Sequence, residues 1–363
     1  MNTTAAVTRV IFILLVILTV PAIHIPAGAV ETGGEIQVQN GLFYKNELSV
    51  NFLGEGELEF FLPGAKNLDT RLVLRGRLEQ SNPELGIKYL YLRRRHENGH
   101  ITLGRQPVSW SYGAIFNPLD FGLGVEGLAG ITHTPEMDGI RFFRFLGAGS
   151  GFQVVTGFDQ GLTGQSPEKL GYGGRLRVPL PGHDISLNIS YRPFQATGED
   201  NLLRGGLTYS GDAGPVGIYG ALGYYRLHRT GKDDYVVQLG IDYSKPVGPE
   251  YDRRLFYLQV EYMIFVKEQL SPTLLWQYSL PAEENPLGSH DLLAVNVFLE
   301  IDPFSQLGTA LIAETTGGRT LTVTPYFQSD LGGGVELRIE GVFLFHDIDG
   351  TGAAVNAGLS YCF

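Results

Sequence analysis

The feature that most constrains this chain is an alternation of apolar and polar side chains that persists from Glu31 to the C-terminus. Between Leu48 and Leu62 the even positions are Leu48, Val50, Phe52, Gly54, Gly56, Leu58, Phe60 and Leu62, while Ser49, Asn51, Glu55, Glu57 and Glu59 occupy odd ones. A β-strand sends two such sets to opposite faces. The pattern recurs with Leu72, Leu74 and Leu78 against Arg71, Arg75 and Arg77, and with Ile185, Leu187 and Ile189 against Asp184, Ser186, Asn188 and Ser190. Leu337, Ile339 and Phe343 stand likewise against Glu336, Arg338 and Glu340. No amphipathic helical period competes with it after Glu31. Turn signals separate the runs: Pro63-Gly64, Asn98-Gly99, Pro181-Gly182, Gly211-Asp212, Asp302-Pro303, Gly332-Gly333-Gly334 and Asp349-Gly350. The expectation is an all-β fold of about 18 strands, with 16 to 20 allowed. The stretch from Lys245 to Arg254 is where an extra strand is most easily miscounted.

Alternation alone fits either a soluble sandwich with its apolar face in a core or a membrane barrel with its apolar face in lipid. Strand length separates them. Soluble strands average about 5–6 residues, whereas a tilted strand needs ~10 to cross the hydrocarbon layer, and the runs here reach that length. Aromatic residues collect at run ends (Tyr89, Tyr91, Tyr191, Tyr224, Tyr225, Phe345, Tyr361), where a barrel places its interfacial girdles. A single transmembrane antiparallel β-barrel is therefore expected over residues 30–363. Residues 1–29 read as an export signal: Arg9 is the only charge before Glu31, Val10–Val20 is apolar but for Thr19, and Ala27-Gly28-Ala29 supplies small residues for cleavage. The net charge of −11 disfavours a nucleic-acid partner, and a single cysteine rules out an internal disulfide.

The chain ends Val355-Asn356-Ala357-Gly358-Leu359-Ser360-Tyr361-Cys362-Phe363, with Tyr361 and Phe363 on the apolar phase and Gly358 five residues before the end. A second distinctive block is Gly104-Arg105-Gln106, Trp110, and Asn117-Pro118-Leu119-Asp120. Together these resemble the porin-like outer-membrane β-barrels of Gram-negative bacteria. Ser111-Tyr112 before Gly113 departs from the usual order, where Trp is followed directly by Gly. The resemblance implies an outer-membrane barrel whose C-terminal strand, through Gly358, Tyr361 and Phe363, is read by the barrel assembly machinery. It does not imply a substrate.

Residues 107–138 form a long segment between strands, the third external loop counted from a periplasmic N-terminus. Loops of this length are usually functional. Its apolar content suits a constriction folded into the lumen, with Arg105, Trp110, Tyr112, Asn117, Asp120 and Glu126 as its determinants and Arg105 anchoring Asp120 or Glu126. A lid over the external mouth is the alternative. Period two sends Arg71, Arg75, Arg77, Arg175, Arg177, Glu261, Glu300, Glu336 and Glu340 into the lumen. They either face passing solute as charged walls or neutralise one another across strands. Arg175 and Arg177, with fewer acidic neighbours in view, are the better candidates for solute contact.

Catalytic signals are weak. Gly122-Leu123-Gly124-Val125-Glu126-Gly127 has dinucleotide-loop spacing but no βαβ context. His346-Asp347-Ile348-Asp349 at an external turn reads first as a polar hairpin tip. No enzyme activity, cofactor or metal is expected. The leading reading is a channel for passive diffusion of small hydrophilic solutes or ions. The alternatives are a barrel that sheathes a partner such as a multihaem cytochrome, and a rim enzyme acting on lipid or peptide. The expected partners are outer-membrane lipid, the assembly machinery, small solutes, and a second copy of the chain or a cytochrome.

Overall fold

The computed structural model describes residues 31–363 apart from 45–47, 64–66, 80–81, 111, 113–114, 122–135, 159–166, 195–199, 250–253, 271–289, 317–319 and 347–349. The proposed export signal, Glu126 and the Asp347–Asp349 tip lie outside the described residues.

Eighteen antiparallel strands pair in chain order, and β1 pairs with both β2 and β18, so the sheet closes on itself. They are β1 Glu31–Tyr44, β2 Leu48–Pro63, β3 Leu68–Glu79, β4 Asn82–His96, β5 Gly99–Pro107, β6 Glu136–Gly147, β7 Ser150–Phe158, β8 Gly171–Leu180 and β9 His183–Phe194. There follow β10 Asp200–Ala213, β11 Val216–Leu227, β12 Asp233–Val247, β13 Arg254–Phe265, β14 Asp291–Asp302, β15 Ser305–Glu314, β16 Thr320–Gly332, β17 Val335–His346 and β18 Gly350–Cys362. Lys245–Val247 ends β12 and Arg254 opens β13, so no extra strand arises there among the described residues. At the seam, Gly34 and Phe363 exchange both backbone hydrogen bonds at 3.1 Å.

The two faces of the wall are inverted relative to a water-soluble protein. On β9, Ile185, Leu187 and Ile189 are 37%, 53% and 56% exposed, while Ser186, Asn188 and Ser190 are at most 3% exposed. The same phase exposes Leu222 on β11, Leu239 and Ile241 on β12, and Val355 and Leu359 on β18. An apolar belt therefore faces outward and the polar set lines the interior. Three of the expected girdle residues belong to the interior instead. Tyr225 and Tyr91 are buried, and Tyr89 lies 5.4 Å from the Arg71 guanidinium on the lumen phase. In the last case a bulge opposite Val73/Leu74 shifts the register of β4, a displacement that alternation alone does not reveal.

The start of β1, the end of β18 and the short turns share one end. Two of these turns, Pro181-Gly182 and Gly214-Pro215, have glycine at φ 74° and 66°, a conformation that L residues rarely adopt. The turn expected at Gly211-Asp212 lies instead at Gly214-Pro215, because β10 runs on to Ala213. Gly211 serves another purpose: a Cβ there would meet the His183 ring, which stacks on Tyr209 5.7 Å away.

At the opposite end, aspartates that open alternate strands fasten the loops. Asp200 accepts the backbone N–H groups of Arg229 and Thr230, and Asp234 accepts those of Lys267, Gln269 and Leu270. Asp291 accepts the Thr316 N–H and both threonine hydroxyls of Thr315 and Thr316.

The inversion gives a direct test at one position on each face of the wall. Leu239→Arg, in the middle of β12 on the outward face, is expected to destabilise the barrel by about 2–4 kcal/mol, whereas Ser210→Arg on the lumen face of β10 costs far less. Urea titration of protein refolded in lipid vesicles measures both.

Candidate functional site: a loop docked across the lumen

The segment after β5 runs back into the barrel. Val108, Trp110, Ile115, Phe116, Leu119 and Phe121 are all buried. Asp120 N–H donates to the Asn117 carbonyl at 3.0 Å, which closes the expected turn. The turn's side chains, however, reach across the loop. Asn117 Oδ1 accepts Tyr112 N–H at 2.9 Å, and the Asp120 carboxylate accepts Trp110 N–H and the Ser109 hydroxyl. Burial, with Tyr225 and Glu261 nearby, pushes the Tyr112 phenol well above its usual range, so it stays a neutral hydroxyl.

The barrel wall holds this segment by its backbone. Glu261, fully buried on β13, accepts Ile115 N–H at 2.8 Å and Phe116 N–H at 2.7 Å, one on each carboxylate oxygen. Tyr219, Gln238 and Gln259 also donate to the same carboxylate, at 2.8, 3.2 and 2.6 Å. Across the socket, Arg192 donates to the Phe121 carbonyl. Arg204 donates to the Phe121 and Pro118 carbonyls, and the Tyr225 hydroxyl donates to Pro118. Charge-assisted bonds of this kind are roughly twice as strong as neutral ones.

Apolar contact completes the socket. Ile115, Phe116 and Leu119 pack with Leu202, Tyr225, Leu227, Val236, Met263, Phe265 and Leu292 of the inner wall. Each such side chain contributes about 1.5–3 kcal/mol when fully buried. Two wall glycines make room: a Cβ at Gly173 would stand 2.8 Å from the Trp110 ring and 2.9 Å from Phe121, and one at Gly223 2.9 Å from Leu119. The lumen wall is thus not polar throughout.

Arg105 does not anchor the loop. It shares the outward phase of Ile101 and Leu103 and pairs with Asp138 of β6 at 3.8 Å. A residue two positions before the strand end keeps the strand's alternation, so it could not reach Asp120 inside.

The other charged candidates pair mainly along the wall. Arg71 meets Glu59 at 2.5 Å, and Arg75 meets Glu55, Glu57 and Glu136 at 3.1, 3.2 and 3.4 Å. Lys88 joins Glu57. Arg77 stands opposite Glu55 in the ladder. Glu300 accepts Leu255 N–H at 2.7 Å, Glu336 accepts from Gln328 at 2.8 Å, and Glu340 holds Arg338 and Asn356 at 3.1 and 3.2 Å. Arg177, expected to have fewer acidic neighbours than the other arginines, pairs with Asp184 two register positions along β9. Arg175 differs: its guanidinium donates to the Ser186 hydroxyl at 3.2 and 3.1 Å, and no carboxylate lies within 4 Å of it among the described residues. Below the loop, Tyr112, Tyr219, Arg177, Asp184, Asp212 and Asp242 line a cavity of about 500 Å³.

Sequence does not mark Arg192, Arg204, Tyr219, Gln238 and Gln259 as anchors, and it assigns Tyr225 to the outer girdle. A signal existed: Tyr262-Met263-Ile264-Phe265 and Leu292-Leu293-Ala294-Val295 do not alternate, which marks a wall apolar on both faces. Because Glu261 alone holds two successive loop amides, Glu261→Ala is expected to orphan buried donors at about 1–3 kcal/mol each. Single-channel recording should then show a larger and noisier conductance, and limited proteolysis should cut between residues 108 and 121.

No protein-family model and no curated protein sequence matches the chain. Solved structures do. OccK11 (OpdR) of Pseudomonas aeruginosa matches with a TM-score of 0.63 at 10% identity, covering 92% of this chain and 96% of that one. OpdL of the same organism matches with a TM-score of 0.60 at 11% identity over 92% and 98%. OccAB4 of Acinetobacter baumannii matches with a TM-score of 0.59 at 10% identity over 93% and 100%. At such identities the likeness is one of fold: this chain forms a closed 18-strand antiparallel barrel similar to those structures and to that of the outer membrane protein OpdK of Pseudomonas aeruginosa.

Proposed function

We propose that the protein is a porin-like outer-membrane channel for passive diffusion of small hydrophilic solutes or ions, exported by a signal over residues 1–29. The observation that carries this reading is the inverted wall: an apolar outer belt, with an ion-paired inner wall narrowed by a docked loop. Ionic pairs such as Arg71–Glu59 and Arg75–Glu57 belong to a hydrated surface, since they would be costly in a dry core. The likeness in fold to outer-membrane barrels supports the same compartment, and OpdK, another structure of similar fold, was solved with vanillate. A sheath for a cytochrome would need the lumen for its partner, and the docked loop occupies part of that space.

Within this reading Trp110, Tyr112, Asn117 and Asp120 shape the constriction. Arg175 is the strongest candidate for contact with solute, because its charge is not neutralised by a close carboxylate. Gly358, Tyr361 and Phe363 remain the proposed assembly signal; the Tyr361 and Phe363 rings stack at 5.9 Å.

Conductance in planar bilayers tests the function: steady openings are expected, and an electrically silent barrel overturns it. Arg175→Ala is expected to move the reversal potential toward cation selectivity without changing the amount of folded protein. An unaltered potential would remove Arg175 from the solute path.

A further inference from the structure

The lumen face carries one row that breaks the polar pattern without belonging to the loop socket. Tyr257 of β13 stands opposite Phe298 of β14, Phe298 opposite Gly308 of β15, and Gly308 opposite Tyr326 of β16. Four successive strands thus set three aromatic rings and one glycine in direct register on the inner phase. None of the rings belongs to the apolar clusters around the docked loop, and all three are partly exposed. An aromatic side chain left open on a wet wall forgoes part of the stabilisation that burial gives, and a solute that covers it restores that part.

The rings are held in line. Tyr257 and Phe298 stack, with centroids 5.0 Å apart and planes 23° from parallel. Tyr326 reaches toward them. A Cβ on Gly308 would meet its Cζ and hydroxyl oxygen at 2.5 Å, so the glycine is what lets this ring lean across β15. Arg338 lies 5.4 Å from the Tyr326 centroid and pairs with Glu340 at 3.1 Å. Hydrogen-bonding side chains flank the row. On the side toward the loop, Asn296 stands opposite Gln259, and its amide oxygen is buried with no hydrogen-bond partner among the described residues. On the other side Gln306 donates to Gln328 at 3.0 Å, and Gln328 donates to Glu336 at 2.8 Å.

Position ties the row to the passage. Tyr257 lies on the same strand as Glu261, which holds the loop, and on the side of it away from the loop end. Barrel strands tilt by about 35–45° from the axis. A row in register therefore crosses the wall obliquely, and a solute that clears the constriction meets the rings in succession.

We propose that this row is a stacking track for uncharged saccharides. It names a substrate class for the channel proposed above and rests on that reading. A pyranose has a flat face of C–H bonds and hydroxyls around its rim. The three rings match the face, and the amides beside them match the rim. Arg338, neutralised by Glu340, adds no net charge to the row. An aromatic solute would match the rings and leave the amides without a role.

Block of the ion current through the full-length protein in planar bilayers tests the track, paired with saturation-transfer NMR on the same protein in detergent micelles. The probes are maltotriose, sorbitol as an acyclic polyol, and nicotinamide as an uncharged aromatic. Maltotriose is expected to block the current saturably and to receive transfer at its ring C–H protons, and the other two to do so far more weakly. Phe298→Leu with Tyr326→Leu keeps the wall apolar but removes two rings, and should weaken maltotriose binding by about fivefold per ring, the scale of one aromatic contact. Tyr326→Phe should retain binding. Gly308→Val, which drives the Tyr326 ring from its place, should weaken it with all three rings still present. Equal effects of maltotriose and sorbitol, or undiminished maltotriose binding in the leucine double variant or in Gly308→Val, overturn the proposal. Tighter binding of nicotinamide overturns it in favour of an aromatic solute. A steady channel that maltotriose neither blocks nor contacts overturns the saccharide track alone, whereas a silent barrel that still binds maltotriose through these rings overturns the channel.

Discussion

The whole architecture depends on satisfying backbone hydrogen bonds where no water can help. In hydrocarbon each unpaired N–H or C=O is costly, so a sheet that crosses a bilayer must have no edge. Here β1 pairs with β2 on one side and β18 on the other, and Gly34 and Phe363 complete the ladder at the last residue. Closure then fixes everything else. Each strand has one face toward the outside and one toward an interior too wide for its own side chains to fill.

That interior is divided between two physical regimes. The strands β2 to β4 carry opposed charges in cross-strand pairs, a wall that stays wet and close to neutral. From β10 to β15 the inner face toward the loop end is apolar and receives Ile115, Phe116 and Leu119. A loop brought into the lumen has backbone groups to satisfy as well. Glu261 supplies acceptors for two N–H groups, and Arg192, Arg204 and Tyr225 supply donors for carbonyls. The wall thus uses the side chains of three or more strands to replace the hydrogen bonds that water would otherwise make.

Legibility in the sequence followed the range of the interaction. Strand number, closure by a terminal aromatic strand, and the outward apolar phase rest on neighbours one or two residues apart and could be read directly. The girdle assignments of Tyr89 and Tyr225 failed because a one-residue bulge or a one-residue shift in phase turns a ring from lipid to lumen. Arg105 failed for the opposite reason: it keeps the regular alternation of Ile101 and Leu103 up to the strand end and meets Asp138, not the loop. Arg177 found Asp184 by a diagonal reach across the hairpin, two register positions from its direct partner Ser186, which side-chain alternation does not report.

The sequence by itself therefore determined the class of fold, because period-two patterning over membrane-length runs admits few other solutions. Tertiary structure alone decided what fills the barrel. The partners of the docked loop, Glu261 and Arg204, lie 146 and 86 residues from the groups they bind. They meet only once the sheet has curled shut, because closure sets the distance between opposite walls and no local rule of side-chain alternation carries that information.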